Sequence, residues 1–229
     1  MGHSQGGAQI LSGLADRPDY FLDSVNLFLL IAPASRVDRC LHKNLDFVLS
    51  TYLKNPGMIE QPVFPPKALL RLTAKTSLDD RLIKYLLDMD PSKCSEIGKH
   101  TAGGHSIGGT SSRCFKHFGQ LLKSKRFQKY DFGVEGNKMA YGSETVPVID
   151  LKSFSGAPIS MFCGKEDLLV SPDDYHWLKD ELSAKDNLRY FKEYDLGHMG
   201  LVIPKDRTVF YDMLAVAKHF APEGKVSIR

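Results

Sequence analysis

The chain has 229 residues, which is enough for one hydrophobic core or for a core with a smaller subdomain. Hydrophobic residues make up 42% and charged residues 25%, as in an ordinary globular protein. The net charge of +3 is small and the basic residues are spread along the chain, so composition indicates no nucleic-acid partner. The longest apolar run, residues 25–33, is too short for a stable membrane span.

The first stretch, residues 1–35, opens with the pattern G-x-S-x-G at residues 2–6 (GHSQG). This pattern marks a nucleophile elbow, a sharp turn between a strand and a helix that exposes a serine hydroxyl. We expect Gly2 and Gly6 to be required, because the strained turn brings the strand and the helix too close for a Cβ at either position. Only Met1 precedes the motif, so the sequence is expected to begin in the middle of a catalytic domain.

The elbow is followed by elements typical of a parallel sheet. The pattern predicts a helix over residues 5–15, a break at residues 17–19 and a fully apolar strand over residues 27–32. A helix followed by such a strand is typical of a parallel sheet that is covered on both faces.

The middle stretch, residues 36–150, has a different character. Amphipathic helical patterns at residues 44–52, 78–87 and 111–122 are separated by breaks rich in Pro and Gly. Within this stretch, no segment before Val146 shows the alternation of apolar and polar residues that is typical of a strand. These features predict a helical cap inserted into the sheet domain.

The last stretch, residues 151–229, returns to alternating elements. We predict strands over residues 157–163 and 188–194, with a helix between them from Pro172 to about Leu182. A closing helix is predicted over residues 207–220, with an apolar side formed by Val209, Phe210, Met213, Leu214 and Val216. The whole pattern predicts an α/β fold with a mostly parallel sheet and an inserted helical cap.

Three residues occur in an order that suits nucleophilic catalysis: Ser4 in the elbow, then Asp167, then His198. Asp167 follows the strand over residues 157–163, and His198 follows the strand over residues 188–194. Because catalytic groups of parallel sheets gather at the carboxyl ends of the strands, we expect acid and base on the same edge.

Each of these residues has a competitor. Residues 104–108 (GHSIG) also fit the elbow pattern, but no apolar strand precedes Ser106, which lies in the predicted cap. The alternatives to Asp167 are Asp173, Asp174 and Asp195, and the first two are expected at a helix N-terminus. His219 is interpreted as a surface or packing residue. The side chain of His3 is expected to point away from the pocket.

The four cysteines, Cys40, Cys94, Cys114 and Cys163, form no C-x-x-C pair, so zinc binding and thioredoxin chemistry are not predicted. Their spacing leaves any disulfide pairing open.

Several motifs together resemble one family. Residues 2–7 (GHSQGG) and 30–34 (LIAPA) are similar to the elbow and the following turn of acid lipases of the gastric and lysosomal type. Further matches are residues 105–111 (HSIGGTS) with 117–120 (HFGQ) in the cap, 125–133 (KRFQKYDFG), 163–169 (CGKEDLL) at the acid and 194–200 (YDLGHMG) at the base.

The resemblance runs over essentially all 229 residues and implies a partial α/β-hydrolase fold. It also implies hydrolysis of neutral-lipid esters, such as triacylglycerols or sterol esters, at a lipid–water interface, without a metal or organic cofactor. Ser4, Asp167 and His198 would be catalytic, and the backbone N–H of Gln5 would be one oxyanion donor. A complete protein of this family would be secreted or lysosomal.

The sequence departs from the family pattern in two ways. The strands and the second oxyanion donor that precede the family's elbow have no counterpart, which predicts a carboxyl-terminal part of the enzyme. Phe118 and Phe132 replace tryptophans. Two alternatives therefore stay open: an α/β-hydrolase for small soluble esters or amides, and a lipid-binding relic without catalysis.

Overall fold

A computed structural model of the chain describes residues 1–38, 90–98 and 110–221, together with the backbone of residues 62–63. Within these residues, four parallel strands form the central sheet in the order β1–β2–β5–β6. The strands are β1 (Gly2–His3), β2 (Phe28–Ile31), β5 (Ile159–Gly164) and β6 (Leu188–Tyr194). The sheet strands predicted from the apolar runs are confirmed, with β2 and β5 each one or two residues displaced at their ends.

The two central strands are apolar except for the buried Ser160 and the terminal Gly164 of β5, because both faces of the sheet are covered. Leu30 and Met161 are paired in register and face one hydrophobic cluster, which also includes Leu11 and Leu178. Side chains alternate between the faces of a strand, so the neighbouring residues Ile31 and Phe162 face the opposite cluster. That second cluster includes Leu201, Val209 and Met213.

The helices predicted within the described residues are present, with small changes of boundary. They are α1 (Gln5–Asp16), α3 (Ser112–Ser124), α5 (Pro172–Ser183) and α6 (Thr208–His219). Ser111 caps α3, since its side-chain oxygen accepts a hydrogen bond from Cys114 N.

Two short α-helices among the described residues were not predicted. Of the break predicted at residues 17–19, only Arg17 lies outside a helix, because α2 (Pro18–Ser24) begins at Pro18, where a proline fits the first helical position. Helix α4 (Val134–Tyr141) begins after Gly133 and ends at Gly142, and both glycines have positive φ. Short helices of seven or eight residues lack the long periodic pattern on which the sequence predictions depended.

The middle stretch is described only in part. Its amphipathic patterns at residues 44–52 and 78–87 lie outside the described residues, so the cap boundaries stay a prediction. A short antiparallel pair joins β3 (Pro62–Val63) to β4 (Thr110–Ser111). This pair precedes Val146, contrary to the expectation. Val146 itself lies outside the strands. Val148, two residues further on, forms an isolated antiparallel β-bridge with Gln128.

The apolar side of the closing helix was predicted too broadly. Val209 and Met213 of α6 are buried, whereas Phe210 and Leu214 are 39% and 45% exposed. Among the described cysteines, Cys94, Cys114 and Cys163, no disulfide forms. None of the helices within the described residues is long and apolar enough to cross a bilayer.

Candidate active site

Ser4 is the residue at which β1 turns into α1, with backbone angles of φ 54° and ψ −119°. A residue with a side chain rarely adopts a positive φ, and such strain costs about 1–3 kcal/mol, so the surroundings must hold it. The Ser4 N–H donates to the Ile31 carbonyl at 2.9 Å, and the Ala34 N–H donates to the Ser4 carbonyl at 3.1 Å. The strained strand–turn–helix geometry predicted for the elbow is therefore present and is held from both sides.

Two glycines allow this turn: Gly2, as predicted, and Gly7, which was not predicted. A Cβ on Gly2 would lie 2.6 Å from the backbone carbon of Gly6, and a Cβ on Gly7 would lie 2.7 Å from Pro33 Cβ. No atom of the described residues lies within 4 Å of the position that a Cβ on Gly6 would occupy. The expectation for Gly6 is wrong for the described residues, because neither the strand nor the turn after β2 approaches that position. Gly7 is the residue that lets α1 approach the turn after β2.

The two neighbouring glycines give a matched test of the elbow. Gly7→Ala is expected to destabilise the chain by about 1–3 kcal/mol, because the new methyl group overlaps Pro33. Gly6→Ala is expected to be neutral or to stabilise by up to about 1 kcal/mol, since alanine is the better helix former. Urea unfolding monitored by circular dichroism measures both changes. Equal destabilisation by the two substitutions would contradict this packing.

Asp167 lies in the turn directly after β5, as predicted. One carboxylate oxygen, Oδ1, accepts hydrogen bonds from the backbone N–H groups of Leu169 at 2.8 Å and Val170 at 2.7 Å. These two donors fix the orientation of the carboxylate and point the other oxygen, Oδ2, out of the turn. The side chain is 1% exposed, so water does not compete for these bonds.

The structure brings Asp167 to His198. Asp167 Oδ2 lies 2.8 Å from His198 Nδ1, and His198 is 3% exposed. With the acid ionised, Nδ1 is the protonated nitrogen of this pair. The other ring nitrogen, Nε2, is then the basic atom of the imidazole when the ring is neutral.

The loop that holds Asp167, the predicted acid, is in direct backbone contact with the loop that holds His198, the predicted base; these are called the acid loop and the base loop. The Lys165 N–H donates to the Tyr194 carbonyl at 2.9 Å, and the Glu166 N–H donates to the Leu196 carbonyl at 3.2 Å. Gly164 lies so close to the Leu196 carbonyl that a Cβ at this position would overlap it. Gly164 is a part of the site that the sequence reasoning missed, although it stands between the strand and the acid loop.

The competing acids have other partners. Asp174 is buried in the first turn of α5, where it accepts a hydrogen bond from the Asp38 N–H and lies 3.5 Å from Arg36. Asp195 is exposed and forms an ion pair with Lys165 at 2.9 Å. Asp173 is exposed on the same turn of α5. The competing serine, Ser106, lies outside the described residues.

Cys163 lies in β5 shortly before the acid loop and is fully buried. Burial raises the pKa of its thiol well above the usual value, and the negative charge of Asp167 adds to this effect. The sulfur is therefore a neutral thiol at physiological pH and not a second nucleophile.

His3 is placed differently from the prediction. Its side chain lies against His198, with the two ring centroids 4.6 Å apart, and its Nε2 is 3.2 Å from the His198 carbonyl oxygen. Within the described residues no hydrogen bond joins the Ser4 hydroxyl to His198, and His3 connects the elbow with the base loop. Burial and, to a smaller extent, the proximity of His198 together lower the pKa of His3 to about 4. His219, by contrast, is exposed at the end of α6, as expected.

Gln5 is the first residue of α1. The N–H groups in the first turn of a helix have no acceptor within that helix, and they lie at the positive end of its dipole. The Gln5 backbone is therefore next to Ser4 and suited to stabilise a negative oxygen there.

Comparison with known proteins gives a consistent result. The chain is 25% identical to the lipase lipl-1 of Caenorhabditis elegans over 226 residues, covering 90% of this chain and 55% of that protein. It is 24% identical to the tear acid lipase-like protein of Mesocricetus auratus, covering 90% of this chain and 53% of that protein. The sequence is related to the acid lipases. No protein-family model matches it.

A shorter segment of the chain has a higher sequence identity to another lipase. Over 91 residues it is 34% identical to the gastric triacylglycerol lipase of Rattus norvegicus, covering 39% of this chain and 22% of that protein. The chain spans about half the length of the curated relatives that it matches over most of its own length.

Solved structures of hydrolases are also similar to it. One is a soluble variant of the monoglyceride lipase from Saccharomyces cerevisiae in complex with a substrate analog, with a TM-score of 0.49 and 12% identity, covering 96% of this chain and 62% of that one. Another is the Paleococcus ferrophilus monoacylglycerol lipase, with a TM-score of 0.46 and 13% identity, covering 96% of this chain and 66% of that one.

The described elements of the chain are arranged as in part of an α/β-hydrolase. The sheet is parallel, a strained serine turn joins β1 to α1, and Asp167 and His198 follow β5 and β6.

Proposed function

We propose that the chain is a serine ester hydrolase that acts on neutral lipids, with Ser4 as nucleophile, His198 as base and Asp167 as the acid that orients it. The observation that carries this proposal is the buried 2.8 Å contact between Asp167 and His198 at the sheet edge where Ser4 has its strained turn. A buried carboxylate that holds a histidine tautomer is the arrangement that a serine nucleophile requires.

The proposed reaction gives each of these residues one role. His198 Nε2 takes the proton of the Ser4 hydroxyl as Oγ bonds to the ester carbonyl carbon, and the carbonyl oxygen becomes negative. The Gln5 N–H donates to that oxygen. Collapse of the intermediate breaks the ester bond, and His198 returns its proton to the leaving alcohol. Water then attacks the acyl-serine with the same base, which releases a carboxylic acid and restores Ser4.

The substrate class is supported by the relatives rather than by the described residues. The matched proteins are named as lipases, and one of them as a gastric triacylglycerol lipase. We propose a triacylglycerol or a sterol ester as substrate, bound at a lipid–water interface, with the predicted cap at residues 36–150 as the acyl-binding wall.

A covalent label tests the nucleophile without assuming a substrate. A fluorophosphonate probe is expected to add to Ser4 Oγ with loss of fluoride, and peptide mass spectrometry identifies the modified residue. Ser106 provides the matched control because it has the same GHSxG context. Labelling of Ser106, or labelling that persists in Ser4→Ala, would contradict the assignment.

The substrate class needs its own assay. Emulsified trioleoylglycerol and cholesteryl oleate are compared with a soluble butyrate ester, each with wild type and Ser4→Ala. We expect Ser4-dependent hydrolysis of the long-chain emulsions. Hydrolysis confined to the soluble ester would favour a small-ester hydrolase, and labelling without turnover of any ester would favour the relic.

A further inference from the structure

His3 forms the contact between the elbow and the base loop. It is the last residue of β1 and directly precedes Ser4, while His198 is 195 positions further along the chain. The His3 ring is tilted by 42° against the His198 ring at a centroid distance of 4.6 Å. Because a carbonyl oxygen only accepts, the 3.2 Å contact with the His198 carbonyl requires the proton of His3 to be on Nε2.

Two contacts with described residues hold His198. Asp167 holds its side chain through Nδ1, and His3 holds its backbone through the carbonyl oxygen. The first contact sets the tautomer and the rotation of the imidazole ring. The second ties the backbone of the loop that carries His198 to the residue beside Ser4, so both contacts contribute to where Nε2 points.

We propose that His3 is a positioning residue, which sets the position of His198 relative to Ser4 by donating a hydrogen bond to the backbone of the base loop. This inference rests on the proposed function, since it gives His198 the role of the base. It gives His3, the residue before the proposed nucleophile, an influence on the rate of the reaction. Displacement of a reacting group by about 1 Å can cost about a hundredfold in rate, so a backbone contact of this kind has a measurable effect.

The charge state of His3 suits this role. Burial and then the proximity of His198 lower its pKa to about 4. The hydrogen bond to the His198 carbonyl and the charge of Asp167 act in the opposite direction but have smaller effects. Above about pH 5 the ring is therefore neutral. A neutral ring neither competes with His198 for Asp167 nor repels the imidazolium that His198 becomes during the reaction.

Two substitutions separate the hydrogen bond from the ring. His3→Gln keeps an N–H donor without the ring, and His3→Phe keeps a ring without a donor. We expect His3→Phe to lower kcat for a soluble ester by about 10- to 100-fold with KM nearly unchanged. His3→Gln is expected to recover most of the loss. His219→Phe, at an exposed position, is the control and should leave both constants unchanged.

A second measurement does not depend on turnover. The proton between His198 Nδ1 and Asp167 is expected as a low-field resonance in the proton NMR spectrum of the wild type and of Ser4→Ala. In His3→Phe this resonance should broaden or disappear as the loop moves, and in His3→Gln it should persist. If wild type hydrolyses no ester while the resonance responds in this way, the proposed function fails and the positioning contact stands.

Other results would overturn the inference. It is wrong if His3→Phe keeps both kcat and the His198 resonance, or if His3→Phe and His3→Gln lose activity equally. It is also wrong if His3→Phe lowers the thermal unfolding temperature with no change in kcat or the resonance, because His3 would then only contribute to packing.

Discussion

Replacing Ser4 with alanine is expected to lower kcat for ester hydrolysis by about 10⁴-fold or more, because no other group replaces the attacking oxygen. The measurement is the initial rate with a soluble chromogenic ester at saturating concentration, compared with the uncatalysed rate. Ser106→Ala is the matched control, since it removes the serine of the second GHSxG pattern, and it should retain wild-type activity. A Ser4→Ala protein with more than a tenth of the wild-type kcat would contradict the assignment.

The loss of activity in Ser4→Ala should not come from unfolding. The strained turn is held by backbone groups, namely the Ser4 N–H on Ile31 and the Ser4 carbonyl with Ala34, and alanine keeps both. Alanine at positive φ occurs elsewhere in this chain, at Ala32 with φ 41°. We therefore expect the free energy of unfolding to change by less than about 1 kcal/mol, which a urea titration measures.

The sheet and the order of the acid and base could be predicted from the sequence because both depend on local patterns. The mostly apolar β5 is typical of a strand covered on both faces, and its carboxyl end lies beside that of β6 in a parallel sheet. Asp167 and His198 follow these ends directly. Their meeting therefore follows from the element order, even though they are far apart in the chain.

Contacts that depend on the exact path of the backbone could not be predicted. In the two-residue strand β1, the alternation of side chains is too short to say which way His3 points. The elbow motif indicated close packing of strand and helix, but which glycine meets the neighbouring turn depends on the rotation of α1. That rotation turns Gly7 toward Pro33 and turns Gly6 away from the other described residues.

The buried side of the closing helix α6 also could not be predicted from the sequence pattern alone. Val209 and Met213 are spaced by four residues on α6, and so are Phe210 and Leu214, so the periodicity marks two adjacent apolar rows. Only the packing against the sheet determines which row is covered. Val209 and Met213 lie against Phe162 and Leu201, and the other row is left partly exposed.

Asp167→Asn is expected to lower kcat by about 10³- to 10⁴-fold while the fold is retained. The reason lies in the two backbone donors of the acid turn. The N–H groups of Leu169 and Val170 require an oxygen at the position of Oδ1, so the asparagine amide nitrogen must take the position that faces His198. An NH₂ group there makes Nδ1 an acceptor and places the imidazole proton on Nε2. That nitrogen then has no lone pair with which to take the proton of Ser4.

Asp195→Asn is the matched control, because Asp195 precedes His198 by three residues and its exposed carboxylate pairs with Lys165. It should keep kcat within about twofold of the wild type, since exposed ion pairs contribute little. Measuring kcat and KM for both variants over a range of pH shows whether Asp167 acts by orienting His198 or only through its negative charge. The tautomer argument predicts that KM of Asp167→Asn stays near the wild-type value and that raising the pH does not restore kcat, because the neutral ring itself carries the proton on the wrong nitrogen. Recovery of kcat at high pH, or an equal loss in Asp195→Asn, would show that the acid acts through general electrostatics and not by orienting His198.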